Sequence, residues 1–264
     1  MNLTNQYLVK CMSILETVRS QQALITEAAS WFAQSILQGR VVHLFGSGHS
    51  RIMVEEMWPR YGSFPGFNPI VELSMTFHNL VTGANGQRQA MFIENTPGLA
   101  EKILSNFNLS TADTALIISS SGTSVVPCEL AELFQMHKIK VVSIVTRSHL
   151  AQSESKRRDG KKLSDFSQLV LDSGAPAGDA MIQIEGMEMP VSPGSTVGSV
   201  ILINCLKAEL AQLLTRQGLP PNALAAACTV GKERSAAIFE EAYLEHSTRM
   251  SGLYNFSKKI SIHE

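Results

Sequence analysis

"TALIISSSGTSVVPCELAELFQMHKIKVVSIVT", residues 114–146, decides the fold. It opens on an apolar run, 114–119, and closes on another, 141–146. Continuous Val, Ile and Leu without polar alternation marks strands covered on both faces, as in a parallel sheet. Parallel strands need a crossover, and residues 125–139 supply an amphipathic helix of suitable length. Strand, helix, strand is the unit of a doubly wound α/β fold.

Outward from this unit, "VVHLF" (41–45) and "LVLD" (169–172) read as further buried strands. Residues 4–38 read as one helix. Leu8, Met12, Ile14, Leu15, Val18, Leu24, Ile25, Ala28, Ala29, Phe32 and Ile36 recur at about 3.6-residue spacing, and Gly39 stops the run. Residues 196–218 read as a central apolar helix that ends at Gly218, with Pro220 and Pro221 beyond. A charged helix follows over 232–248. The stretch "SESKRRDGKKLSD" (153–165) carries five basic residues and reads as a solvated, mobile loop. The expected layout is one domain over 1–264. It has an N-terminal helical arm (1–38), a sheet-and-helix core (39–218) and a C-terminal helical extension (219–264).

Composition narrows the function class. Hydrophobic content is 44%, charged content 17% and formal net charge −1 over 264 residues. These values suit a globular core and offer no electrostatic footprint for nucleic acid. Cys11, Cys128, Cys205 and Cys228 lie far apart, with no CxxC pair and no histidine at ligand spacing. No metal site is expected, and a reduced cytoplasmic compartment is. The N-terminus lacks the apolar core of a signal peptide, and no stretch reads as a membrane span of ~20 apolar residues.

Two turns carry the chemistry. The first strand delivers Gly46-Ser47-Gly48-His49-Ser50 to the carboxyl edge of the sheet, where open α/β sheets bind ligands. The second turn holds Ser119, Ser120, Ser121, Gly122, Thr123 and Ser124, five hydroxyls in six residues, before the crossover helix. Neutral donors and free amides at a helix start form an anion cradle. Helix capping explains one or two of these hydroxyls, not five. No GK[ST] follows, so the turn is not a Walker A loop, and GxGxxG is incomplete at both turns.

"FGSGHS", "IISSSGTSVVP", "VVSIVT" and "PGSTVGSVILINCL" together resemble the sugar isomerase (SIS) domain superfamily. With Glu55-Glu56, "NPI" (68–70), His78 and "PAGDA" (176–180), the chain is similar to a bacterial group of SIS phosphosugar-binding proteins related to phosphoheptose isomerase. The resemblance covers roughly residues 5–230. It implies a three-layer sandwich with a five-stranded parallel sheet of flavodoxin-like type and an N-terminal helical arm. It also implies a homodimer with sites near the interface and a phosphorylated sugar as ligand. Ser119, Ser121, Thr123 and Ser124 would hold the phosphate, and Ser47, His49 and Ser50 would face the sugar. Ser195, in "PGST", would lie at the same site. Arg60 stands where the family's catalytic glutamate is counted from the first glycine, and the late helix lacks the histidine of phosphoheptose isomerase.

A cofactor-free aldose–ketose isomerase needs a base near C1 or C2 and a group that relays protons between the oxygens. Glu55 and Glu56 point about 100° apart on a helix, and Ile52, Met53 and Met57 share a side more closely with Glu56. Glu72 ends the extended segment "NPIVEL". Glu56 or Glu72 is therefore the expected base, with His78 as the proton shuttle. Asp179 either orients a sugar hydroxyl or caps its turn. A lyase or etherase, and a non-catalytic phosphosugar sensor, are the competing readings.

Overall fold

The structure, a computed structural model, describes residues 2–76 and 86–254. Helices α1 (Leu3–Arg19) and α2 (Gln22–Leu37) lead into β1 (Val42–Gly46), α3 (Arg51–Met57) and β2 (Phe67–Ile70). Short helices α4 (Leu73–Thr76), α5 (Gly86–Ile93) and α6 (Leu99–Leu104) precede β3 (Thr114–Ile118). Then come α7 (Val125–Met136), β4 (Lys140–Val145), α8 (Arg147–Gln152) and β5 (Leu169–Asp172). The hairpin β6 (Ala180–Ile182) and β7 (Val191–Pro193) leads to α9 (Ser195–Arg216), α10 (Ala227–Val230) and α11 (Lys232–Leu253).

Five parallel strands run in the order β2-β1-β3-β4-β5. Side chains alternate across the sheet. Leu44, Leu116, Ile118, Val142 and Ile144 enter one apolar layer with α2, α3 and α9. Phe45, Ala115, Ile117, Val141 and Val145 enter the other, with α6 and α7. This is the expected three-layer α/β sandwich. The fifth strand, β2, escaped the apolar-run reading because it is four residues long and contains Asn68 and Pro69. A proline is tolerated there because β2 is an edge strand. The order reverses between β1 and β3, so their carboxyl ends open on a crevice at the switch point.

Three expectations need correction. Residues 4–38 are not one helix, because the chain breaks at Ser20-Gln21. Buried Gln21 accepts a hydrogen bond from Asp172 N (2.7 Å) and donates one to Asp172 O (2.8 Å). Its amide completes the open edge of β5 as a neighbouring strand would. The 153–165 stretch is not solvated throughout: Glu154, Lys156, Arg158 and Lys161 are exposed as expected, but Leu163 is buried. The Arg157 side chain is 12% exposed, pairs with Glu132 and Asp159, and stacks over Phe166. Finally, α9 is long and apolar enough by length and composition to cross a bilayer, with a mean hydropathy of 1.5 over its most apolar 18 residues. Its Leu202, Ile203, Leu206 and Leu210 are instead buried in the core against α2.

The amino end of the sheet carries a buried polar cluster. His43, wholly buried, pairs through Nδ1 with Asn68 (2.9 Å), and its Nε2 lies 3.3 Å from Asp113. Arg40 donates to both Asp113 oxygens at 2.8 and 2.7 Å. Burial alone would raise the Asp113 pKa, but His43, Arg40 and the Ser110 amide outweigh it and hold it at about 2. A depressed acid stabilises the fold above its unfolded value, near 3.8, and that contribution is lost as pH falls through about 2. Asp113→Asn is therefore expected to cost about 2 kcal/mol at pH 7, with the gap to wild type closing between about pH 4 and pH 2. Urea unfolding across that range checks it. A gap that stays constant with pH would contradict the ion-pair origin.

Candidate functional site

At the switch point, the turns after β1 and β3 face each other across a cavity of about 530 Å³. Ser47, His49 and Ser50 line one wall. Ser119, Ser121, Thr123 and Ser124 line the other. These seven expected binding residues converge because β1 and β3 are adjacent strands whose carboxyl ends meet.

A hydroxyl donates only one proton, so the turn's hydrogen bonds show what remains for a ligand. Ser119 Oγ accepts from Gly122 N (3.2 Å) and Ser121 Oγ accepts from Thr123 Oγ1 (3.0 Å). Both serines keep their own protons to donate. The Thr123 proton is spent on Ser121, and Thr123 is nearly fully buried, so it shapes the turn. Ser120 Oγ is paired with Thr146 Oγ1 at 3.1 Å. Among the described residues, the amides of Ser120, Ser121 and Ser124 take no partner. Gly122 has φ +63°, and a Cβ there would meet Leu150 Cδ1 at 2.6 Å. The turn therefore requires glycine.

The basic stretch straps this turn. Lys156 N donates to Thr123 O (3.1 Å) and Leu163 N to Gly122 O (2.8 Å). Lys156 lines the cavity as its one lysine among the described residues. Cys128 lies beneath the turn, and burial pushes its thiol up to about 12, which makes it inert.

Glu94, just beyond α5, also lines the cavity and was not singled out from sequence. Its carboxylate accepts from Ser47 Oγ (2.7 Å) and Ser124 Oγ (3.1 Å). A glutamate at the carboxyl end of a helix opposes the macrodipole, and that misplacement was the available signal. His149 was likewise passed over. It lies on α8, just after β4 at the same sheet edge, and among the described residues its buried Nδ1 has no hydrogen-bond partner.

Other expected site residues lie elsewhere. Glu56 faces a separate groove of about 570 Å³ beside Tyr61, Phe239 and Tyr243. Its carboxylate pairs with Arg60 and accepts from Asn204 (2.8 Å). Burial opposes ionisation there, yet Asn204, Arg60 and Lys207 still lower its pKa and weaken it as a base. Glu72 accepts from Ser74 N (3.3 Å) and Oγ (2.8 Å), capping α4, and does not line the cavity. Asp179 accepts from Gly194 N (3.0 Å), Ser195 N (2.6 Å) and Ser195 Oγ (2.8 Å). Asp179 and Ser195 thus cap α9, outside the cavity. His78 lies outside the described residues.

The SIS domain profile matches residues 6–146. A UPF0309 protein of Halalkalibacterium halodurans is 30% identical over 208 residues, covering 78% of this chain and 83% of its own. A UPF0309 protein of Listeria innocua is 27% identical over 220 residues, covering 83% and 87%. A phosphoheptose isomerase structure from Francisella tularensis superposes with a TM-score of 0.51 at 14% identity, over 80% of this chain and 96% of that one. At that identity the superposition speaks for the fold. The sandwich, the hydroxyl turn at its switch point and the matched profile lead to one conclusion: the chain belongs to the SIS domain family.

Proposed function

We propose that the chain binds a phosphorylated sugar in this cavity and interconverts its aldose and ketose forms without a metal or organic cofactor. The observation that carries the reading is the 119–124 turn. It offers two hydroxyl protons and three unpaired amides, Ser120, Ser121 and the α7 cap residue Ser124, to one anion. Helix starts and clustered amides are favoured phosphate seats. Glu94 and His149 bring a carboxylate and an imidazole to the same cavity, the group types that move protons between adjacent carbons and oxygens. The departure at Arg60, which pairs with Glu56, favours a second reading as a sugar-phosphate sensor. A lyase or etherase is a third reading, because abstraction beside a carbonyl needs the same groups.

The test is solvent-deuterium incorporation at C1 or C2 across a panel of pentose, hexose and heptose phosphates. Isomerisation is expected to label at least one of them. Tight binding with no label and no product would leave the sensor, and elimination products would establish the lyase. A cytoplasmic homodimer completes the reading. Leu8, Met12 and Leu15 form an exposed apolar stripe along α1, at 53%, 55% and 45% exposure. Light scattering that reports a monomer at micromolar concentration would contradict the dimer.

A further inference from the structure

Ser47 and Ser124 each have one hydroxyl proton, and both protons point at the Glu94 carboxylate. The main chain beside it makes the same approach. Val126 N donates to Glu94 O (2.9 Å) and Val125 N to Asn95 Oδ1 (3.3 Å), so residues 94–95 take up two free amides of the first turn of α7. A carboxylate thus sits at the positive end of the helix that frames the cradle, where an anion is favoured. We infer that Glu94 is an internal competitor for the phosphate of the ligand, holding the serine protons that a bound phosphate must take over. This deepens the phosphosugar reading and rests on it.

The consequence is a filter on ligand charge. A neutral sugar has nothing to offer Ser47 and Ser124 in exchange for a carboxylate. A phosphate dianion has three acceptor oxygens and forms stronger hydrogen bonds than neutral acceptors. It also repels the carboxylate at close range, so the two do not share the donors. Glu94 therefore makes the resting cradle selective for strong anions at the cost of affinity.

Glu94→Gln removes the charge and offers an amide N–H in its place, and Glu94→Ala vacates the position. The test is calorimetric titration of wild type and both variants with inorganic phosphate and with a hexose 6-phosphate. Glu154→Gln is the control, because Glu154 lines the same cavity without accepting from either serine. Both Glu94 variants are expected to bind inorganic phosphate at least about tenfold more tightly than wild type, and Glu154→Gln to shift it less than about threefold. Equal or weaker phosphate binding by both Glu94 variants, with wild type binding normally, would overturn the inference and leave the phosphosugar reading intact. No phosphate binding by any of these proteins would overturn both.

Discussion

A chain with alanine at Ser119, Ser121 and Ser124 is expected to bind sugar phosphates more than about a thousandfold more weakly than wild type. Each serine gives a phosphate oxygen one charge-assisted hydrogen bond, worth about 1.5–3 kcal/mol, so three losses exceed about 4 kcal/mol. Ser119 and Ser121 already hold protons to donate, and Ser124 gains one to offer when Glu94 is displaced. The backbone of the turn stays pinned by Ser119 N to Ile144 O, Lys156 N to Thr123 O and Leu163 N to Gly122 O. The variant is therefore expected to melt within a few degrees of wild type. Calorimetry checks affinity and a thermal scan checks the fold. A folded variant whose affinity stays within tenfold of wild type would remove the phosphate from this turn.

Gly198→Ala is expected to lower stability by about 2 kcal/mol, the upper end of the overpacking cost less the helix-propensity gain. On helix propensity alone the change would gain about 1 kcal/mol. Packing decides otherwise. A Cβ at this position would stand 1.8 Å from Ser173 O and 2.9 Å from Ile14 Cγ2. The first neighbour is main chain just beyond β5, so α9 or the strand end must move, at an overpacking cost of about 1–3 kcal/mol or more. Movement of Ser173 reaches the site. Its hydroxyl pairs with Thr146 Oγ1 (2.7 Å), which pairs with Ser120 Oγ (3.1 Å) in the cradle. Phosphate affinity is therefore expected to fall alongside stability. Urea unfolding within 1 kcal/mol of wild type would show that α9 does not approach β5 this closely.

The two strand-to-helix turns were legible in the sequence because continuous apolar runs end abruptly in hydroxyls. β1, β3, β4 and β5 each fell within about a residue of the runs that marked them. Gln21 was not legible as a helix break, because its reason is a pair of hydrogen bonds to Asp172, 151 residues away. The β6–β7 hairpin was missed because its strands are three residues each, too short to show alternation. Around the cavity, sequence singled out the hydroxyls of the two turns and passed over Glu94 and His149. His149 lies on the short helix α8 after β4, and a lone histidine there carries no pattern. Glu94 arrives from the end of α5, and among the described residues no strand leads directly into that helix. Glu56 shows the opposite failure. Helical spacing placed it on an inward face, and Arg60, Asn204 and Lys207 fix that face on a different groove.

The most direct test of the central claim, that the 119–124 turn is a phosphate seat for a sugar phosphate, is paired calorimetric titration of the wild-type protein. Each sugar phosphate of a panel is titrated against the same sugar without its phosphate. The expected result is saturable binding of at least one phosphorylated sugar and no measurable binding of its free counterpart. Equal affinity for a sugar with and without its phosphate would contradict the claim.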